Sequence, residues 1–354
     1  VTVKSSWWGT ELGPDELDLQ TMLDAFSQAH DLVLHDDTTT VANLVGELAA
    51  LGVWTLGTAE NAGGGGADRV TTSVVFERLG RSWPALGWAS VQAHAAVDVL
   101  AGDERFTDLC TRVHEGSAAV AVVDEMSVHV RLGRDGDGLS GSIARVDAAH
   151  EHPYVVVLGT EDTALVIEPT AIDAEPLRRT GLGGAFTRAL DIDAGAGGWH
   201  EIAGADVASA RSRLRLGAAT VAAGLAAGAA HDALEYATER RQFGDALTAI
   251  PTVRQSILDQ AAHSAVSLLA AHGADGELAV LAALRAACDT AIDVAAKALQ
   301  SHGGYGYLTE YSAERRLRDA VSLRAAADSS GAALFTARSL VGLAPVASAL
   351  RKDA

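Results

Sequence analysis

Tyr236-Ala237-Thr238-Glu239-Arg240-Arg241-Gln242-Phe243-Gly244 is followed, further along the chain, by Gln300-Ser301-His302-Gly303-Gly304-Tyr305-Gly306-Tyr307 and then by Glu314-Arg315-Arg316-Leu317-Arg318-Asp319-Ala320. All three stretches lie in an alanine-rich region from about residue 203 to 345. Alanine is the best helix former and lets neighbouring helices approach closely. Pro251, the Gly273 to Gly276 segment and Gly303-Gly304 interrupt the run and leave four segments. Each segment keeps apolar residues at helical spacing, which predicts a four-helix bundle over residues 203–354. The stretch Gln300 to Gly304 falls at the end of one of those helices.

Upstream the texture changes. Between residues 117 and 202, Ala118-Ala119-Val120-Ala121-Val122-Val123, Tyr154-Val155-Val156-Val157-Leu158 and Ala164-Leu165-Val166-Ile167 are short β-prone runs. Arg134-Asp135-Gly136-Asp137-Gly138 and Gly159-Thr160-Glu161-Asp162 are turn signals. Strands of this spacing predict a small antiparallel sandwich or barrel. Residues 1–116 read as helices and loops. Asp15 to His30, Thr40 to Leu51, Val70 to Leu79 and Leu86 to Leu100 carry helical periodicity, and the Gly63 to Gly66 run is a loop. The expected fold class is α+β: an N-terminal helical domain (1–116), a small middle β-barrel or sandwich domain (117–202) and a C-terminal four-helix bundle (203–354). No internal repeat of fixed period is visible.

Composition narrows the function classes. The chain has 354 residues, 48% of them hydrophobic, so a large core is available. No apolar run is long enough to span a bilayer, and no membrane partner is expected. Val1 to Gly9 has one lysine, no apolar h-region and no small-residue cleavage site, which predicts a cytoplasmic protein without a signal peptide. Cys110 and Cys288 are far apart, which fits a reducing compartment. The net charge is -19, from 27 basic and 46 acidic residues, and argues against a nucleic-acid partner. His94, His129, His150, His152 and His263 are scattered. His150-Glu151-His152 comes nearest to a metal cluster, but it precedes Pro153 in a turn with no further ligand, so no metal site is expected.

The three opening stretches, in their order and spacing, resemble the C-terminal domain of acyl-CoA dehydrogenases. The family pattern runs Arg-x-Gln-Phe-Gly, Gln-x-His-Gly-Gly-x-Gly, then Glu-Arg-x-x-Arg-Asp-Ala. Leu51-Gly52-Val53-Trp54-Thr55, the Gly63 to Gly66 run and Phe76-Glu77-Arg78-Leu79-Gly80-Arg81 resemble the family's N-terminal segment, and the β region resembles it least. The resemblance implies FAD as cofactor, an acyl-CoA substrate and an oligomer whose FAD sites form between chains. It implies that Arg240 reaches the FAD pyrophosphate, and that Gln242, Phe243 and Gly244 pack beside the cofactor. Gln300, His302, Gly303 and Gly304 are then placed on the adenine side of a flavin held mainly by the neighbouring subunit. Taken singly, Glu239-Arg240-Arg241 also reads as a solvated helix face and Gln300 to Gly304 as a glycine C-cap. His302 reads equally as a cofactor contact or as a donor to a loop carbonyl. The Glu314 to Arg318 cluster is a candidate counter-charge for an anionic CoA thioester in an acidic chain.

The family's reaction removes an α-proton from the thioester and passes the β-hydrogen to the flavin as hydride, so a carboxylate must face the α-carbon. Counting from Arg318-Asp319-Ala320 puts the usual glutamate position at Ala327. Counting back from Phe243 puts the alternative position, on the first bundle helix, near Arg213-Leu214-Arg215. Neither holds a carboxylate. The flavin loop, usually Thr-Glu-Pro followed by Gly-Ser-Asp, reads Val123-Asp124-Glu125-Met126-Ser127, and the Trp-x-x-x-Asn-Gly-like strand is not recognisable.

In one reading Asp328 substitutes as the catalytic base, although Asp-Ser-Ser-Gly is also a turn composition, and the turn reading is favoured. In the other, the chain is the base-lacking partner of a second acyl-CoA dehydrogenase-like subunit (α2β2). In that respect it is similar to actinobacterial enzymes acting on steroid-derived thioesters. The alanine content and Val1 accord with a high-GC genome and a GTG start. Arg211, Arg213 and Arg215 are then available to an interface or to the partner's ligand. A self-sufficient flavoenzyme of different chemistry and a scaffold that keeps the fold without cofactor are the remaining readings.

Overall fold

Helix α1 (Pro14–Ala29) starts on a proline at its first turn, and α2 (Thr38–Ala50) starts on Asp37, whose side chain accepts from the Thr40 N–H. The computed structural model describes residues 7–160 and 162–343. Residues 1–6 of the N-terminal stretch, Glu161 of the turn at 159–162 and residues 344–354 at the end of the bundle region lie outside the described residues. Helix α3 (Arg69–Ser82) is capped by Asp68, and α4 (Pro84–Leu100) again opens on proline. A short α5 (Thr107–His114), not anticipated from the sequence, closes the helical region. Leu23, Leu44, Leu48, Val74, Leu86 and Leu100 form its core.

Eight strands follow: β1 (Val120–Asp124), β2 (Val130–Asp135), β3 (Gly138–Val146), β4 (Tyr154–Leu158), β5 (Thr163–Ile167), β6 (Ile172–Pro176), β7 (Arg188–Ala194) and β8 (Trp199–Ala203). They form two sheets, ordered β1-β4-β5-β8 and β2-β3-β7-β6. Ala121, Val155, Val157 and Leu165 of one face Leu132, Leu139, Ile143 and Ile192 of the other, which is a sandwich. The sandwich is not purely antiparallel. Strand β1 pairs in parallel with β4, from Val120↔Tyr154 to Asp124↔Leu158. After β1 the chain crosses to the second sheet, makes the β2–β3 hairpin, and returns to start β4 at the same end, so the two strands run the same way.

The bundle consists of α6 (Val207–Glu239), α7 (Pro251–Gly273), α8 (Glu277–His302) and α9 (Ala313–Ala326), extended by α10 (Ser329–Leu340). Helix α6 is its axis and packs against α3, α4, α7 and α8. Small residues make that possible. A Cβ on Gly80 of α3 would stand 2.2 Å from the Val221 carbonyl oxygen, and one on Gly224 of α6 would stand 2.2 Å from the Glu77 carbonyl oxygen. The two backbones therefore touch, and α6 joins the N-terminal helices to the bundle.

Candidate active site

A cavity of about 400 Å³ opens where the β sandwich, the start of α6 and the turn between α9 and α10 meet. Trp88, Val122, Ile143 and Leu214 line its apolar side. The α9–α10 turn supplies Ala327 and Asp328, and the β1–β2 loop supplies Met126, Ser127 and His129. Ala327, the residue on which the count from Arg318-Asp319-Ala320 falls, is thus in the wall of the cavity.

Asp328 is in the wall too, in a left-handed backbone conformation (φ 44) that Asp tolerates better than most residues. Ser127 Oγ donates to its Oδ2 at 2.6 Å, and the Gly331 N–H donates to its Oδ1 at 3.1 Å. His129 Nε2 stands 4.0 Å from Oδ1. Asp328 therefore caps α10, as its turn composition suggested, while facing the cavity.

Arginines surround the remainder of the cavity. Arg211 is paired with Asp124 (2.6 and 3.3 Å) and also donates to the Gly159 carbonyl at 3.0 Å. Arg145 is paired with Asp147 and donates to the Ser322 carbonyl at 3.2 Å. Arg324 stands 3.3 Å from Asp289. Arg215 is 7% exposed, with Asp124 Oδ2 3.7 Å away. Burial lowers the pKa of its guanidinium, against the pull of Asp124. Of the α6 set, Arg213 turns elsewhere and pairs with Asp98. The arginines of the 314–318 cluster do not line this cavity. Arg316 is paired with Asp232 at 2.6 Å and Arg318 with Glu314 at 2.7 Å.

The other sequence-derived residues gather at the far end of α6. Arg215 and Arg240 are separated by about 37 Å of helix at the standard rise. At that end a second cleft is lined by Asp232, Tyr236, Arg240, His302, Tyr311 and Arg316. The Arg240 guanidinium lies 4.7 Å from the Tyr305 ring centroid. His302 is buried, stacks on Tyr236 at 4.4 Å and is hydrogen-bonded to the Ala298 carbonyl at 2.8 Å, which is a helix carbonyl and not a loop one. Gln242 belongs to a two-residue ribbon, β9 (Arg241–Gln242) with β10 (Asp245–Ala246). Phe243 at its tip is 94% exposed. Phe243 and Gly244 both have positive φ, as does Gly303 just beyond α8. Gln300, Gly303 and Gly304 are exposed at the end of α8.

The two ends fit the implied FAD differently. The corner offers a cation, exposed aromatic faces at Phe243, Tyr305 and Tyr307, and glycine backbone open to close approach, all suited to the nucleotide end of the cofactor. Most backbone N–H groups of the β1–β2 loop are already engaged within the chain. The N–H groups of Glu125, Ser127 and Val130 donate to the carbonyls of Leu158, Asp124 and Ser127, and those of Met126 and His129 to the side chains of Asp124 and Ser127. Those donors are unavailable to a flavin ring. The sequence missed the ties made by Ser127, His129 and Arg145, because they join segments far apart in the chain and leave no local pattern.

The profile described as "Acyl-CoA dehydrogenase, C-terminal domain" matches residues 205–330, and that described as "Acyl-CoA dehydrogenase, N-terminal domain" matches residues 14–103. Among curated proteins, the chain is 36% identical over 114 residues to the caffeyl-CoA reductase-Etf complex subunit CarC of Acetobacterium woodii. It is 37% identical over 115 residues to an acyl-CoA dehydrogenase of Bacillus subtilis. Each of these alignments spans 30% of this chain and 30% of the relative. Among solved structures, butyryl-CoA dehydrogenase from Megasphaera elsdenii superposes with a TM-score of 0.76 at 20% identity, over 94% of this chain and 99% of that one. Glutaryl-CoA dehydrogenase from Mycobacterium smegmatis gives a TM-score of 0.76 at 16% identity, over 94% and 96%.

Proposed function

Because the chain belongs to the acyl-CoA dehydrogenase family, we propose that it is one subunit of an FAD-dependent enzyme that introduces an α,β double bond into an acyl-CoA thioester. In this reading a second, dehydrogenase-like chain provides the proton acceptor in an α2β2 assembly working in the cytoplasm on steroid-derived thioesters. The observation that carries it is Ala327 in the cavity wall, at the position where counting from Arg318-Asp319-Ala320 puts the family's glutamate. Among the described residues no helix is long and apolar enough to cross a membrane.

FAD, when bound, supplies the hydride acceptor. The chain's own residues do the rest. Arg240 would hold negative phosphate oxygens, with Phe243 and Gly244 beside it and Gln300, Gly303 and Gly304 presenting open backbone. His302 fixes Tyr236 in place. Since α6 keeps this corner far from the 400 Å³ cavity of the same chain, a nucleotide gripped there would belong to a site centred on another subunit. Around the cavity, Trp88, Val122 and Leu214 exclude water, while Ser127 and Gly331 hold Asp328 in place.

Co-expression with a dehydrogenase-like partner tests the reading. A yellow complex that desaturates acyl-CoA, with little flavin on this chain alone, is expected. A stoichiometric, active FAD complex of the isolated chain would remove the partner from the account. One observation favours a second reading, in which Asp328 is the base of a self-sufficient enzyme: its carboxylate stands in the same wall as Ala327.

A further inference from the structure

Three of the four arginines around the cavity are held by carboxylates of this chain. Arg145 and Arg211 each make a two-pronged pair, with Asp147 and Asp124, and Arg324 stands 3.3 Å from Asp289. Arg215 is different. It is 7% exposed, and its nearest carboxylate oxygen, Asp124 Oδ2, is 3.7 Å away, beyond hydrogen-bond distance. That oxygen already accepts from Arg211 at 2.6 Å, and Asp124 Oδ1 accepts from the Met126 N–H at 3.1 Å. Among the described residues the Arg215 guanidinium makes no hydrogen bond. The other charged groups acting on it are Arg211, Glu277 and Asp328, and Asp328 is engaged by Ser127 and by the Gly331 N–H.

A guanidinium taken out of water and left without acceptors is costly, and proteins keep one where something else completes it. The planar donor fork of arginine matches two oxygens of a carboxylate. Arg215 sits beside the apolar lining formed by Trp88, Val122, Ile143 and Leu214, so the complementary ligand is an apolar chain that carries an anion on its buried part. A CoA phosphate does not meet that description, because it is attached at the solvent-facing end of a thioester. We propose that the acyl group taken by this cavity bears its own carboxylate, which Arg215 binds, so that the substrates are thioesters of dicarboxylic acids. The proposal rests on the acyl-CoA reading above and deepens it.

Calorimetric titration of the full chain with glutaryl-CoA, pentanoyl-CoA and free CoA tests it. Glutaryl-CoA and pentanoyl-CoA have the same chain length and differ in the terminal carboxylate. Glutaryl-CoA is expected to bind at least about tenfold more tightly than pentanoyl-CoA, the effect of one charge-assisted hydrogen bond or more. In Arg215→Gln that preference disappears, through weaker glutaryl-CoA binding, and Arg215→Lys restores part of it. Equal affinity of the two thioesters for the unsubstituted chain overturns the proposal without need of a variant, as does a preference that survives in a folded Arg215→Gln protein. If neither thioester binds more tightly than free CoA, the acyl-CoA reading of the cavity falls, and this proposal with it.

Discussion

Ser127, on the loop between β1 and β2, donates its hydroxyl hydrogen to Asp328 Oδ2 across 2.6 Å and so ties the β sandwich to the turn between α9 and α10. The second oxygen of the same carboxylate accepts the Gly331 N–H at 3.1 Å and caps α10. A carboxylate that holds two segments in place is doing structural work, yet it stands in the wall of the cavity beside Ala327. The structural and catalytic readings of Asp328 make opposite predictions.

Asp328→Asn separates them. Asparagine tolerates the left-handed conformation and caps helices as well as aspartate does, so stability changes little. If the partner supplies the base, turnover of the assembled complex stays within roughly twofold, since no proton passes through Asp328. Loss of turnover by orders of magnitude in a folded variant would assign the base to Asp328. Asp328→Ala lacks both the cap and the tolerance of positive φ, and urea unfolding should show a loss of about 1–2 kcal/mol.

Arg240→Ala addresses the other end of α6. Its guanidinium stacks on Tyr305 at the surface, so the melting temperature of the chain is expected to hold. FAD retention by the assembled complex should fall by about tenfold or more, the contribution of a charge-assisted contact to phosphate. Phe243, 94% exposed, contributes no packing to the isolated chain. Phe243→Ala should therefore leave the unfolding curve unchanged and weaken only assembly or flavin binding, read by sedimentation and by flavin absorbance.

Both ends show what a sequence can carry. Alanine content, Pro251 and the Gly303-Gly304 break mark the bundle helices because helix propensity and helix breaking are local properties. The strands that are buried on one run, β1, β4 and β5, stand out as β-branched stretches. Strands such as β2 (Val130–Asp135) and β3 (Gly138–Val146) mix glycine, arginine and serine with their core residues and do not. The parallel β1–β4 pairing depends on where the chain returns, which no window of sequence records. In the same way, Ala327 could be singled out by counting, but the Ser127 contact to Asp328 and the lack of a hydrogen bond to the Arg215 guanidinium arise only when distant segments fold together.

Burial holds both thiols in their protonated form. Desolvation pushes Cys110 up to about 11 and Cys288 up to about 12. The thiolate is the reacting species, so at pH 8 neither cysteine should react with an aromatic disulfide reagent in the folded chain, and both should react promptly in guanidinium chloride. Rapid titration of either thiol without denaturant would show that its helix opens readily.

His94, on α4, gives a pH dependence with a definite sign. It is fully buried, its Nδ1 lies 2.7 Å from the Ser90 carbonyl, and its Nε2 accepts the Gly57 N–H at 3.0 Å. Nδ1 therefore carries the proton of the neutral ring, and a second proton on Nε2 would break the tie to the loop at Gly57. Burial lowers its pKa to about 3, with the Ser90 carbonyl pulling the other way and Arg213 adding to the shift. The unfolded chain takes up that proton near pH 6.5 and the folded chain does not. The contribution of His94 is therefore complete above about pH 6.5 and is lost as pH falls towards 3, at about 1.4 kcal/mol per pH unit. Carboxylates titrate in the lower part of that range, so the comparison must be with a variant that keeps them. His94→Gln retains a side chain able to donate and accept but cannot titrate. Between pH 6.5 and 4.5 its unfolding free energy should decline less steeply than that of the unsubstituted chain, by about one proton's worth of slope. Parallel pH profiles of the two proteins in urea would mean that the ring is charged in the folded state or reaches water there, and the buried neutral tie between α4 and the Gly57 loop would have to be abandoned.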